Sequence, residues 1–376
     1  MLNKLLFFIF PLIAIACYSY FDVFRSISVL VLGTLLLVPY FIKYCTRNKV
    51  GSNIWRFFII VVIASVLNLI TTENGIGGTI IFFGSFVLAI FALNNLKLVQ
   101  WVILLIGLFL LYFLYVQIFI NNVRVDDVFE DYGQSRNYPG CLLVTISCFW
   151  GMCKAINYKS MPLLFPIIAV IFCFFLDGRS SLGIMIAIVF YCLGFRSQKY
   201  LLISLGVTLF AIFYFSEYLI DMMENSRLFM EGTDSNRYQL WGTYIKNLDL
   251  PSFLFGLETK YLPLLRDYGG NPHNSFFNFH YRMGILGLGA LIVLLVKSLV
   301  LLWKQKQKEI FIFLVLLWIR MSFDTCIVSA TDFLVFTMMF YPFYNKTNTK
   351  ENVTKHSKTR NKNLIIKLGK KIIDLV

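Results

Sequence analysis

The chain has 376 residues, 58% of them hydrophobic and only 14% charged. A soluble domain carries about 25% charged residues; with a mean hydropathy of +0.73, an ordinary soluble protein is excluded in favour of a polytopic membrane protein. The formal net charge of +14 suggests a nucleic-acid partner at first sight, but its distribution along the chain gives it another role.

Apolar runs fall at 5–21, 26–44, 55–70, 76–93, 98–120, 138–156, 161–176, 181–195, 200–218, 283–303, 309–322 and 326–344. They predict about twelve spans, each near the roughly 20 residues a helix needs to cross the hydrocarbon. The fold class is therefore all-α, with residues 1–344 forming a single polytopic membrane domain. The opening MLNKLLFFIFPLIAIACYSY reads as the first helix. The residues before Cys17 fit a cleavage box poorly, and removing them would leave an odd number of spans. Two polar segments break the apolar pattern, an acidic loop at 121–137 and a large loop at 219–274. A polar loop as long as the second is unusual unless it has work to do.

Lysine and arginine set the orientation. Lys43, Arg47, Lys49, Arg56, Lys97, Lys154, Lys159, Arg196, Lys199, Lys304, Lys306 and Lys308 fall in loops on the same side as the N-terminus. The basic tail 345–376 joins them. Asp126, Asp127, Glu130, Asp131, Asp177, Glu217, Asp221 and the acids of the large loop fall on the other side. Both termini are thus expected in the cytoplasm and the acidic loops outside. The net charge becomes a topology signal, and no nucleic-acid partner is expected. The tail end LIIKLGKKIIDLV spaces its lysines as an amphipathic surface helix or a solvated basic tail would. The eight cysteines lie mostly in apolar runs with no CxxC pair. They read as small core hydrophobes, with neither a disulfide nor a metal expected. The acidic run at Asp126–Asp131 reads as a solvated loop rather than a cation site.

Candidate chemistry gathers at the outer ends of helices. The stretch GGNPHNSFFNFHYRMGILGLG, 269–289, holds two of the three histidines. Asn271 reads as an N-cap with Pro272 at the first helical position, which puts His273 in the first turn. His273, Phe277, His280, Gly284, Gly287 and Leu291 then share one face, and the two glycines allow another helix to approach closely. The positive end of a helix disfavours a cationic ring, which suits His273 to general-base work. His280, deeper, is expected to be packed and hydrogen-bonded. Arg179, in Asp177-Gly178-Arg179-Ser180-Ser181-Leu182, is a cation at the outer membrane edge, where arginine is usually functional or paired. In 234–244, Asp234 or Ser235 caps a helix on which Tyr238, Trp241, Tyr244, Ile245 and Leu248 share a face. That helix is expected to lie on the membrane, aromatic side down, with Arg237 projecting from its first turn. Arginine forks match phosphate oxygens, and a histidine base suits a hydroxyl nucleophile. Together they fit attack by an alcohol on a group leaving as a phosphate.

Pro272-His273-Asn274 followed by Gly284 and Gly287 resembles the His-Asn…Gly-x-x-Gly signature of the O-antigen polymerase and ligase superfamily. Arg179-Ser180-Ser181-Leu182 resembles its Arg-Ser/Ala-x-Leu stretch. Arg237 ahead of Trp241, with Phe255-Gly256 beyond, resembles its large-loop region. The resemblance covers about 175–345. It implies a C-type glycosyltransferase-like membrane fold with a large exoplasmic loop, in the bacterial inner membrane. It also implies an inverting-type polymerase of polyprenyl-diphosphate-linked oligosaccharide repeats, working in O-antigen or similar surface polysaccharide (lipopolysaccharide) biosynthesis without a cofactor or metal. The catalytic residues would be His273, Arg237 and Arg179. Substrate contacts would come from Asn274, Arg282, Trp241 and Asp324. For Asp324, as for Asp332, capping a helix end or pairing with Arg320 weighs equally. Membrane lipid, a chain-length regulator and a flippase are the partners implied. The alternatives are a ligase that transfers glycan to lipopolysaccharide core, a polysaccharide-lipid flippase or other transporter, and a structural membrane subunit. A transporter would be expected to show repeats and broken helices near the midplane; a structural subunit has no need of the arginine–histidine set.

Overall fold

The computed structural model describes residues 2–24, 26–45, 51–72, 76–123, 137–176, 179–196, 199, 202, 206, 236–258, 262–267, 272–323 and 332–344. The expected span at 200–218 lies almost wholly outside them. So do most of the acidic loop, Asp324 and the tail 345–376. Among the described residues every regular element is a helix. In chain order these are α1 (Leu2–Phe24), α2 (Ile27–Tyr40), α3 (Ser52–Thr71), α4 (Gly77–Asn94), α5 (Leu96–Tyr115), α6 (Asn137–Tyr158), α7 (Leu164–Phe175), α8 (Arg179–Arg196), α9 (Asn236–Lys246), α10 (Leu250–Phe255), α11 (Pro263–Asp267), α12 (Ser275–Lys304) and α13 (Lys308–Phe323). Residues 332–344 are also helical. A π-helical turn, Val116–Ile120, extends α5. Among the described residues, five helices are long and apolar enough to cross a membrane: α3, α4, extended α5, α6 and α12. That is the pattern of a polytopic membrane protein. The run expected to span at 161–176 gives only the 12-residue α7, roughly 18 Å of helix against about 30 Å of hydrocarbon.

Small residues and aromatic rings pack the bundle. Tyr18 of α1 lies against Gly33 of α2 and Gly84 of α4, and its hydroxyl hydrogen-bonds Thr34 Oγ1 at 2.7 Å. A side chain at Gly84 would occupy the space the tyrosine hydroxyl fills. Gly151 likewise receives the Phe313 ring. Phe57, Phe82, Phe86, Phe336 and Phe340 join α3, α4 and the last helix through ring contacts of 5.7–6.5 Å. Outside this core, Leu32, Leu35, Ile59, Ile63, Leu105, Phe109 and Tyr112 are exposed, as expected of side chains that face lipid.

Hydrogen bonds sort the helix ends into two sets. At one end, the Tyr344 hydroxyl donates to Asn94 (2.6 Å) and Gln305 Nε2 to the Pro342 carbonyl (3.0 Å). At the other, Asn274 reaches Ser322 and Arg320 reaches Ser181. Alternating spans require this grouping, and the second set contains the ends that carry the candidate motifs.

Among the described cysteines, one departs from expectation. Cys17, Cys148, Cys153, Cys173 and Cys192 are free and buried, as small hydrophobes should be. Cys141, one turn into α6, is disulfide-bonded.

Candidate functional site

The site is built around a break in α12. Gly284 has φ 59° and ψ −172°, a conformation essentially reserved for glycine. Beyond the break, residues 285–304 rise roughly 30 Å, one bilayer's hydrocarbon. Just ahead of it, Tyr281 and Arg282 meet Asn68 in the last turn of α3 and Gly78 in the first turn of α4. The break therefore sits level with the ends of the spans, and residues 275–283 lie over them. The face expected to run unbroken from His273 to Leu291 is split at this glycine. Its close neighbour is the short helix α10, not another span. A Cβ at Gly284 would collide with the Leu254 carbonyl, and one at Gly256 (φ 105°) with the Tyr281 carbonyl. Asn68, 2% exposed, donates from Nδ2 to the Phe255 carbonyl (2.5 Å) and the Tyr281 carbonyl (3.1 Å). One amide thus satisfies carbonyls at two interrupted helix ends, which a low-dielectric setting demands.

Above this break α9, α10, α11 and residues 275–283 form a cap with its own small core of Leu240, Tyr244, Leu257, Leu262, Leu265 and Tyr281. The aromatic stripe expected to face lipid is divided. Tyr244 is fully buried, whereas Tyr238 and Ile245 are exposed. Tyr244 turns inward because His280 stands opposite: the two hydrogen-bond at 2.6 Å between the hydroxyl and Nδ1. His280 Nε2 lies 3.0 Å from the Phe253 carbonyl. A carbonyl only accepts, so Nε2 carries the proton and Nδ1 accepts from tyrosine. Burial pushes the Tyr244 phenol's pKa up, which keeps it a donor. His280 is packed and bonded on both nitrogens, as expected from its depth. Asp249 caps α10 by accepting from the Ser252 N–H at 2.8 Å; the Ser252 hydroxyl, and after it that N–H, hold its carboxyl below the ordinary value. Replacing Tyr244 with phenylalanine leaves the buried His280 Nδ1 unsatisfied; a loss of about 1–3 kcal/mol is expected, to be read from the melting of the purified chain in detergent.

His273 does not stand in the first turn of a helix. The cap of α12 is Asn274, whose Oδ1 accepts from the N–H groups of Phe276 (2.9 Å) and Phe277 (3.2 Å). The helix starts at Ser275, and His273 precedes it, half-buried, with φ 48°. Asn271–Pro272 is therefore not the helix start; Asn274 takes that role because its side chain serves two partners at once. Its Nδ2 also donates to the Ser322 carbonyl at 2.9 Å. Asn274, expected to contact substrate, thus also forms a structural tie. Trp241 is tied similarly, its indole N–H donating to the Pro272 carbonyl at 2.9 Å and its ring 6.2 Å from that of Phe277. Arg237 occupies the helical position one turn ahead of Trp241.

A second tie runs through α13. Arg320, fully buried, donates from Nε to Ser181 Oγ (3.0 Å) and from Nη2 to the Asn137 carbonyl (3.4 Å). Ser181 lies in the first turn of α8, two residues after Arg179. The last turn of α13 thus grips the His273 loop through Ser322 and the start of α8 through Arg320. Arg282 is placed apart from the ties that hold the His273 loop. Its guanidinium stands 4.8 Å over the Tyr281 ring, its side chain rests on Gly78, and its buried Nε has no hydrogen-bond partner among the described residues. Asn68 is the residue that motif reading passed over, and Arg320 entered it only as a pairing partner for Asp324 or Asp332. Each is a lone polar group in an apolar run, which is itself a signal. No protein-family model matches the chain, and no curated protein matches it.

Proposed function

We propose that this chain is a membrane glycosyltransferase that polymerises polyprenyl-diphosphate-linked oligosaccharide repeats into a surface polysaccharide. In this reading it has about twelve spans, both termini are cytoplasmic, and the cap faces the outer side of the bacterial inner membrane. The hydroxyl of an acceptor sugar attacks the anomeric carbon of the donor glycan, the C–O bond to the polyprenyl diphosphate breaks, and that diphosphate leaves with the electron pair. His273 takes the hydroxyl proton. Arg179 and Arg237 neutralise the leaving diphosphate, with Arg282 a further cation. Trp241 and Asn274 hold the His273 loop. The supporting observation is the double grip of α13, through Ser322 on the loop after His273 and through Arg320 on the helix start that bears Arg179.

Deletion of the gene followed by gel analysis of surface lipopolysaccharide tests the reading. The expected result is loss of the ladder, with one repeat still attached to core. No repeat on any core would replace polymerase with ligase, and an unchanged ladder would reject both.

A further inference from the structure

A second constructed site lies at the opposite end of the bundle from the cap. The Lys154 ammonium, near the end of α6, stands 4.5 Å from the Tyr158 ring, 5.0 Å from Trp150 and 5.4 Å from Trp101. The two indoles meet edge to face at 5.3 Å. The cage is braced from behind: Gln100, fully buried, donates to the Tyr158 hydroxyl (3.2 Å) and accepts from Asn157 Nδ2 (3.0 Å). Three rings hold the cation by their faces. An ammonium also has three N–H donors, and among the described residues no oxygen accepts from this one. Lys97 and Lys159, both exposed, flank it at the start of α5 and just past α6. Two further lysines therefore lie at the same helix ends as a braced cation that has no carboxylate partner among the described residues.

The cage opens onto a strip of α5. Trp101, Leu105, Leu108 and Tyr112 are all exposed and recur at one-turn intervals on one face. This strip runs along a helix long enough to cross the membrane. A ligand that satisfies both parts carries an anionic oxygen at one end and a long apolar chain at the other.

We propose that Lys154 and its aromatic cage, with Lys97 and Lys159, bind the phosphate of an anionic phospholipid whose acyl chain lies along Trp101, Leu105, Leu108 and Tyr112. Basic residues at the membrane surface favour anionic lipid generally; the cage makes the preference local. A choline headgroup would otherwise suit three aromatic rings, but Lys154 already fills them and repels it. The site therefore discriminates by headgroup charge, not by acyl chain, and does not depend on the reaction proposed for the cap.

The test uses the purified full-length protein in detergent, titrated with dioleoyl phosphatidylglycerol or dioleoyl phosphatidylcholine and read by native mass spectrometry. Phosphatidylglycerol is expected to be retained at least about tenfold more strongly than phosphatidylcholine. Lys154→Gln should remove that preference, while Lys304→Gln, an exposed lysine at the same end of the bundle, should preserve it. Trp101→Leu, at a half-exposed position that leaves the core intact, should weaken phosphatidylglycerol retention several-fold. Equal retention of the two lipids by the wild type overturns the proposal, as does wild-type preference in either Lys154→Gln or Trp101→Leu.

Discussion

Gly284→Ala is expected to detach the cap while leaving the spans assembled. Two costs fall on the same substitution. The backbone at φ 59°, ψ −172° resists any side chain, which costs about 1–3 kcal/mol. The new methyl also runs into the Leu254 carbonyl, and overpacking against backbone typically adds about 1–3 kcal/mol. Their sum is large beside the roughly 5–15 kcal/mol that stabilises a typical domain. The damage stays local because the atoms a Cβ would strike belong to α10. Hydrogen exchange should therefore rise across 250–256 and little elsewhere. Gly256→Ala opens the same seam from the other side, against the Tyr281 carbonyl. The double variant should consequently lose less than the sum of the two single ones. Unchanged exchange at 250–256 in Gly284→Ala would refute the packing argument.

Under the proposed function, His273→Ala is expected to have the opposite signature, a loss of activity without a loss of fold. A positioned general base contributes about 10²–10⁴ in rate. Because His273 precedes α12 and the cap role belongs to Asn274, its removal spares the helix start. Arg237→Ala should cost roughly one charged hydrogen bond, about 1.5–3 kcal/mol of transition-state stabilisation. Asn274→Ala provides the contrast. It removes an N-cap worth about 1 kcal/mol together with the tie to Ser322, so melting temperature and glycan extension should fall together. The measurement is ladder formation in a deletion host at matched expression, beside melting of each purified variant. Full extension by both His273→Ala and Arg237→Ala would remove the catalytic assignment.

What the sequence revealed and what it concealed follow the range of the interactions. The long spans were legible because their apolar length is a local property. The depth at which His280 would be packed and bonded was legible too. The start of α12 was not: Pro272 gives a strong local signal for the first helical position, but Asn274 gains a second partner in Ser322, 48 residues away in sequence. The glycines announced a close approach, correctly at Gly284, but not that the visitor would be α10. Periodicity drew the aromatic stripe of α9 and could not say that His280 lay across from Tyr244. The roles of Asn68 and Arg320 are contacts over 187 and 139 positions, which no local pattern encodes.

The bonded sulfur of Cys141 has a consequence for how the chain is made. Cystines survive outside the cytosol and are reduced within it. The start of α6 therefore reports by its oxidation state which compartment it has reached. That report rests on thiol chemistry alone and owes nothing to the count of lysines and arginines. In the proposed topology this end of α6 lies outside, so oxidation there follows only after it has crossed.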